Sequence, residues 1–310
     1  MSEKQFKVLS LDGGGGKGAY TLGVLKEIET NLGSRLNKHF DLFYGTSTGS
    51  IIAAALACGA TVAELTDFYM LKLPTIMAKF RSTRRSAALK SALQNYFKER
   101  TFSDLEVGLG IVGTNRDDKR AIIFKSLPSL AHGMKSSFQP GFGVTIAEAV
   151  EASCSAYPFF QPKLIKPSNN SPVMIVDGGF VANNPALYAL IDVREALKIP
   201  DENVRMLSIG TGTYPESFPL YAYPQGAVLL PTLKLISMQF SANANSTETV
   251  FKLLSKGIPT VRINDTFAEP ELATSLFEHR KAVLNRLISK GRDSYAKHEK
   301  ELLALFQPSR

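Results

Sequence analysis

Apolar positions along the chain form short runs that alternate with longer stripes at helical spacing. Residues 7–11 make a short run of strand formers, stopped at once by glycines, and GAYTLGVLKEIETNLG then places apolar residues at the period of a helix. Residues 40–44 repeat the pattern, followed by GTSTGS and by IIAAALACGA, a buried helix of small residues. Further strands are predicted at 109–112, 121–124, 173–176 and 206–209, between helical stretches such as 146–152 and 185–197. Such alternation predicts an α/β fold, a mostly parallel central sheet flanked by helices on both faces. Ligands of such sheets bind beyond the carboxyl ends of the strands, where the glycine loop and GTSTG both fall.

Prolines punctuate the rest. Residues 158–172, with Ser168, Asn169, Asn170 and Ser171, read as a surface loop, and 214–231 as an irregular excursion or lid. From Leu272 onward the pattern is helix of mixed charge. With 310 residues, 44% hydrophobic and 21% charged, the chain is not disordered, collagen-like or coiled coil. The expectation is one domain of 310 residues, with its motifs between about 5 and 215.

The longest apolar run, from Ile51 to Cys58, is far below the ~20 residues that span a bilayer. The N-terminal VLSL is too short for a signal peptide, which leads to an expected cytoplasmic location. Cys58 and Cys154 fit no metal-ligand spacing and read as core residues. Net charge is +8, and residues 72–100 concentrate it: Lys72, Lys79, Arg81, Arg84, Arg85, Lys90, Lys98 and Arg100 stand against Glu99 alone. Such a segment attracts anionic headgroups, nucleotides or nucleic acid, or is simply a solvated helical face.

Gly45-Thr46-Ser47-Thr48-Gly49 has the G-x-S-x-G spacing between a strand and a helix. A serine nucleophile there sits on a strained turn with its hydroxyl exposed, and the following helix aims N–H groups at a developing oxyanion. Asp12-Gly13-Gly14-Gly15-Gly16-Lys17-Gly18 admits three readings. A phosphate-binding P-loop fails because Gly18 follows Lys17 and Leu11 occupies the upstream glycine position. A dinucleotide fingerprint is met by Gly13, Gly15 and Gly18, but Asp41 begins its strand instead of ending it. An oxyanion hole built of side-chain-free N–H groups is the third reading.

The serine needs a base. None of the four histidines, His39, His132, His279 and His298, sits in a motif, and only His279 and His298 follow in the order used by α/β-hydrolases. Asp177, in MIVDGGFVANNP, ends an apolar strand and precedes two glycines, which puts a carboxylate at the sheet edge that holds Ser47. An aspartate that merely opens a turn is the plain alternative.

In order along the chain, DGGGGKG, GTSTG and DGG (Asp177, Gly178, Gly179) resemble the patatin-like phospholipase family. Weaker similarities lie in GTN, EASCSAYPFFQP, NNP and SIGTGT, so that the resemblance covers roughly the first 215 residues. It implies a three-layer fold related to the α/β-hydrolases and a Ser47–Asp177 dyad that works without histidine, metal or cofactor. Gly13 to Gly16 would supply the oxyanion donors, Lys17 would pin the loop, and Asp12, Gly18, Gly45, Gly49, Gly178 and Gly179 would support the motifs. Gly16 departs mildly from the family, which more often has an aliphatic residue there.

The implied substrate is a phospholipid bilayer, met peripherally at the inner membrane face. Lys79, Arg81, Arg84 and Arg85 are candidates for anionic lipid or nucleotide binding, and the apolar stretch 228–240 for a bilayer contact, plain core or a homo-oligomer surface. The short form is similar to bacterial effectors switched on by cyclic nucleotides in antiphage defence, which implies a cyclic-nucleotide activator and no nucleic-acid partner. Other readings stay open: a constitutive esterase or lysophospholipase without nucleotide control, a nucleotide- or lipid-binding protein whose motifs are silent, and a triad esterase of small soluble esters.

Overall fold

The computed structural model describes residues 5–133, 135–168, 171–215 and 226–307. Its centre is an eight-stranded mixed sheet: β1 (Phe6–Leu11), β2 (Leu42–Thr46), β3 (Gly108–Asn115), β4 (Arg120–Lys125), β5 (Lys163–Ile165), β6 (Val173–Asp177), β7 (Val204–Ile209) and β8 (Thr260–Ile263). The order β5-β6-β3-β2-β1-β7-β8 has parallel pairings from β3 to β8, while β4, β5 and β6 pair antiparallel. The expected parallel pattern is therefore the core of the sheet, with an antiparallel flank. β5 lies inside the stretch expected to be only loop, of which Asn169 and Asn170 fall outside the described residues.

Strand residues alternate between the two faces with the period of the pleat. Leu9, Leu11 and Phe43 join one core cluster with α1 (Gly18–Leu32), α2 (Thr48–Ala57), α3 (Val62–Met77), α4 (Ser82–Phe97) and α5 (Ile146–Ser153). Val8, Leu42 and Tyr44 join a second cluster on the other face, beneath α6 (Gly179–Ala182) and α7 (Ala186–Ile191). Local chemistry sets the helix ends. Thr61 with Glu64 and Thr145 with Glu148 form capping boxes on α3 and α5, and Gly33, at φ 66°, closes α1 with its N–H on the Glu29 carbonyl.

The C-terminal part, unmatched by resemblance, is woven into the same sheet. β8 extends it beside β7, and α9 (Lys281–Phe306) packs along α1, where a Cβ on Gly23 would come within 2.1 Å of the Ile288 carbonyl oxygen. The helix expected from Leu272 thus begins at Lys281. The excursion expected at 214–231 lies partly outside the described residues, and α8 (Gly226–Leu254) already runs through Pro231. Among the described residues no helix is long and apolar enough to cross a membrane.

Candidate active site

β2 and β6 approach each other head to head along one edge of β3. Thr46 pairs with Val112 and Asp177 with Gly113, adjacent positions of β3, whose other edge is taken by β4. The antiparallel run of β6 is thus what carries Asp177 to the end of β2. Ser47, one residue further, has φ 51° and ψ −124°, a left-handed conformation that strains a residue with a Cβ. The flanking glycines are steric necessities. A Cβ on Gly45 would lie 2.4 Å from the Gly49 carbonyl oxygen, and one on Gly49 would lie 2.3 Å from that of Leu11.

Ser47 Oγ donates to Asp177 Oδ2 at 2.7 Å. The other carboxylate oxygen, Oδ1, accepts the Gly179 N–H at 2.7 Å, and the Thr114 hydroxyl fixes the Asp177 carbonyl. Asp177 is fully buried. Burial pushes its pKa up to about 7, against the pull of the Ser47 and Gly179 hydrogen bonds. Ser153 locks the strained turn: its hydroxyl accepts the Ser47 N–H at 2.8 Å and donates to the Val112 carbonyl at 2.6 Å.

The glycine loop lies against this pair. Gly13 and Gly16, both expected as oxyanion donors, have other uses, since their N–H groups bond the Asn183 and Leu276 carbonyls at 2.9 Å each. Gly14 and Gly15 line the cavity beside Ser47, and their N–H groups have no hydrogen-bond partner among the described residues. The carbonyls on the far side of the two peptide units are pinned. Asn183 Nδ2 donates to Gly13 O at 3.2 Å and the Lys17 N–H to Gly14 O at 3.1 Å, which turns the opposite N–H groups toward the cavity. Tyr69 and Thr48 hydroxyls hold the Gly15 carbonyl. Gly18 packs where a Cβ would be 2.4 Å from Thr48 Cγ2, and one on Gly178 would be 2.2 Å from the Val112 carbonyl oxygen.

Asp12 anchors the loop from below. Arg262 of β8 grips it with both nitrogens, Nη1 to Oδ1 at 2.9 Å and Nη2 to Oδ2 at 2.6 Å, and also reaches Glu248 of α8 and the Ser208 hydroxyl. Burial pushes the Asp12 carboxyl up and Arg262 pulls it back. Burial works against the Arg262 charge too, yet Asp12 and Glu248 raise its pKa overall. Arg262, Ser153 and Asn183 escaped the reading of the sequence; only EASCSAYPFFQP and NNP, the weaker similarities, pointed near the last two.

A narrow apolar channel of about 70 Å³, lined by Ser47 and Asp177, runs between α3, α4 and α8, walled by residues such as Leu73, Ile76, Leu93, Phe159, Ile236 and Phe240. Stretch 228–240 thus supplies channel wall through Ile236 and Phe240, while Leu235 and Met238 face solvent; the side chains of 228–230 lie outside the described residues. Among the described residues no histidine bonds Ser47 or Asp177. His279 Nδ1 contacts the Phe277 carbonyl, His132 the Asp192 carboxylate, His298 Asp265 and Glu301, and His39 the Ser34 hydroxyl. Cys154 is buried and Cys58 half-buried.

Of the basic residues singled out, Lys79, Arg81 and Arg84 are exposed. Arg85 is not, and its expected role in binding anions is corrected by its surroundings. At 3% exposure it donates to the Phe159 and Lys79 carbonyls and lies 5.8 and 5.6 Å from the Phe160 and Phe277 ring centroids, so it props the channel wall.

The patatin-like phospholipase family profile matches residues 9–190. The chain belongs to the patatin-like phospholipase family. As a family member it is a lipid acyl hydrolase. A cUMP-AMP-activated phospholipase of Escherichia coli is 44% identical over 96% of this chain and 92% of its own length. A cGAMP-activated phospholipase of Pseudomonas aeruginosa is 34% identical over 67% of this chain and 63% of the relative. Human GIVD cytosolic phospholipase A2 shares the fold at a TM-score of 0.52 and 10% identity, over 97% of this chain and 60% of that one.

Proposed function

We propose that the chain cleaves fatty-acyl esters of membrane phospholipids with Ser47 and Asp177, and does so when a cyclic dinucleotide switches it on. The observation that carries the chemistry is the 2.7 Å Ser47–Asp177 hydrogen bond in the lining of an apolar channel. The acyl chain lies in the channel. Ser47 Oγ attacks the ester carbonyl while its proton passes to Asp177, and the oxyanion receives the Gly14 and Gly15 N–H groups. The intermediate collapses as Asp177 returns the proton to the departing lysophospholipid. A water then gives a proton to Asp177 and attacks the acyl-serine, and the second intermediate collapses to free the fatty acid as Asp177 returns that proton to Ser47 Oγ.

A base with a pKa near 7 suits proton transfer at neutral pH. The triad reading finds no support, because each histidine is engaged elsewhere. The switch rests on the relatives, whose names specify cUMP-AMP and cGAMP as activators. An activated membrane hydrolase of this kind suits antiphage defence, acting from the cytoplasm at the inner membrane face.

The test is fatty-acid release from phospholipid vesicles by wild type and Ser47→Ala, without nucleotide and with cUMP-AMP or cGAMP. Release by wild type alone, and only with cUMP-AMP, is the expected result. Equal release by Ser47→Ala would sink the nucleophile, and full release without nucleotide would sink the switch.

A further inference from the structure

We propose that the elbow between α3 and α4 is the surface by which this protein docks on an anionic phospholipid bilayer and draws lipid into the channel; the proposal rests on the phospholipid reading above. The two sides of α3 differ. One places Leu73 and Ile76 in the channel wall. The other leaves Leu71 58% exposed, and the elbow that follows leaves Phe80 54% exposed. Two large apolar side chains thus stand in water within ten positions of sequence, beside the wall of the acyl site.

Cations surround them. Lys79, Arg81 and Arg84 are exposed around Phe80, and Lys72, half-buried, lines the channel one helical turn beyond Tyr69. No acid occurs from residue 68 to residue 98. None of these four cations forms an ion pair among the described residues. Arg85, turned inward onto the Phe159 carbonyl and two phenylalanine rings, fastens the elbow to the channel wall.

Apolar prongs set among cations match one partner best: a layer with anionic headgroups outside and hydrocarbon beneath. A free nucleotide or a nucleic acid would meet the cations and leave Leu71 and Phe80 in water. A lipid held at the elbow and an acyl chain in the channel lie on adjoining sides of the same helix, which makes docking and substrate loading one event.

The test is co-sedimentation with vesicles of phosphatidylglycerol and phosphatidylethanolamine, using Ser47→Ala as parent so that the vesicles survive. Each cation near the surface contributes about fivefold to binding. Lys79→Gln, Arg81→Gln and Arg84→Gln combined should therefore bind about 100-fold more weakly than the parent, whose own binding falls with salt. Phe80→Asp should lose binding that salt does not restore. Thermal unfolding, and hydrolysis of a soluble short-chain ester with Ser47 intact, report folding and chemistry separately. Parental vesicle binding by the triple variant overturns the proposal. So does soluble-ester turnover that falls in step with vesicle binding, or unchanged vesicle binding with a lost nucleotide response. Vesicle binding that depends on the elbow in a protein that releases no fatty acid upholds the surface and strikes the hydrolase reading instead.

Discussion

Asp177 and Asp12 are both buried at the active site, 0% and 4% exposed, and they keep different company. Asp12 faces the guanidinium of Arg262 in a two-point grip that ties the glycine loop to β8 and, through Glu248, to α8. Asp177 faces a serine hydroxyl and one N–H group and, among the described residues, no cation. Burial pushes both carboxyls up, and in Asp12 the guanidinium takes back part of the rise without reversing it. An aspartate with an arginine is a tie. An aspartate without one stays hungry for a proton near neutral pH, which a general base requires. Burial supplies the potential in both cases, and the neighbour decides its use.

The largest expected effect breaks the Asp177 side. Asp177→Asn keeps the shape and removes the proposed base, and phospholipid turnover should fall by at least about 10⁴-fold, as when a member of a serine hydrolase's catalytic set is removed. Near-wild-type fatty-acid release by this variant would end the dyad assignment. The Asp12 side breaks differently. Arg262→Met leaves a buried carboxylate unpaired and should cost about 3–5 kcal/mol of stability in urea unfolding. Adding Asp12→Asn should return much of that loss, and a double-mutant cycle with no coupling would show that the pair does not tie the loop.

The smallest effect sharpens the comparison without mutation. In the proposed dyad Asp177 is ionised to accept the Ser47 proton, and its pKa stands near 7, so protonation should remove activity as pH falls. The kcat/KM profile should drop tenfold per unit below about pH 7 and level above it. An inflection near pH 4 instead would show an ordinary exposed-type carboxylate and a different base.

How much of this could be read in the chain follows from how local each feature is. Ser47 and Asp177 were legible because each sits at a strand end next to the glycines its turn demands, all within a few residues. Gly14 and Gly15 could not be told from Gly13 and Gly16, because Asn183 and Leu276, whose carbonyls take the outer two N–H groups, arrive from distant chain. Arg262 carried no signal at all, since its partner is 250 positions away. Arg85 was misjudged from charge alone. It shares a buried stripe with Leu89, Ala92 and Leu93, a helical spacing that marks an inward-facing position despite the guanidinium. The antiparallel entry of β6 was hidden for a similar reason, because strand direction depends on the path of the intervening chain.

The distance between Asp12 and Arg262 bears on the order in which the protein is made. Synthesis runs from the N terminus, so the glycine loop leaves the ribosome 250 residues before its counter-ion. The carbonyls of Leu276 and Glu278, which crowd Gly15 and Gly16, emerge later still. A nascent chain therefore carries serine and aspartate with no seated loop beside them, and a lipid-cleaving centre takes shape only after β8 and residues 276–278 have emerged.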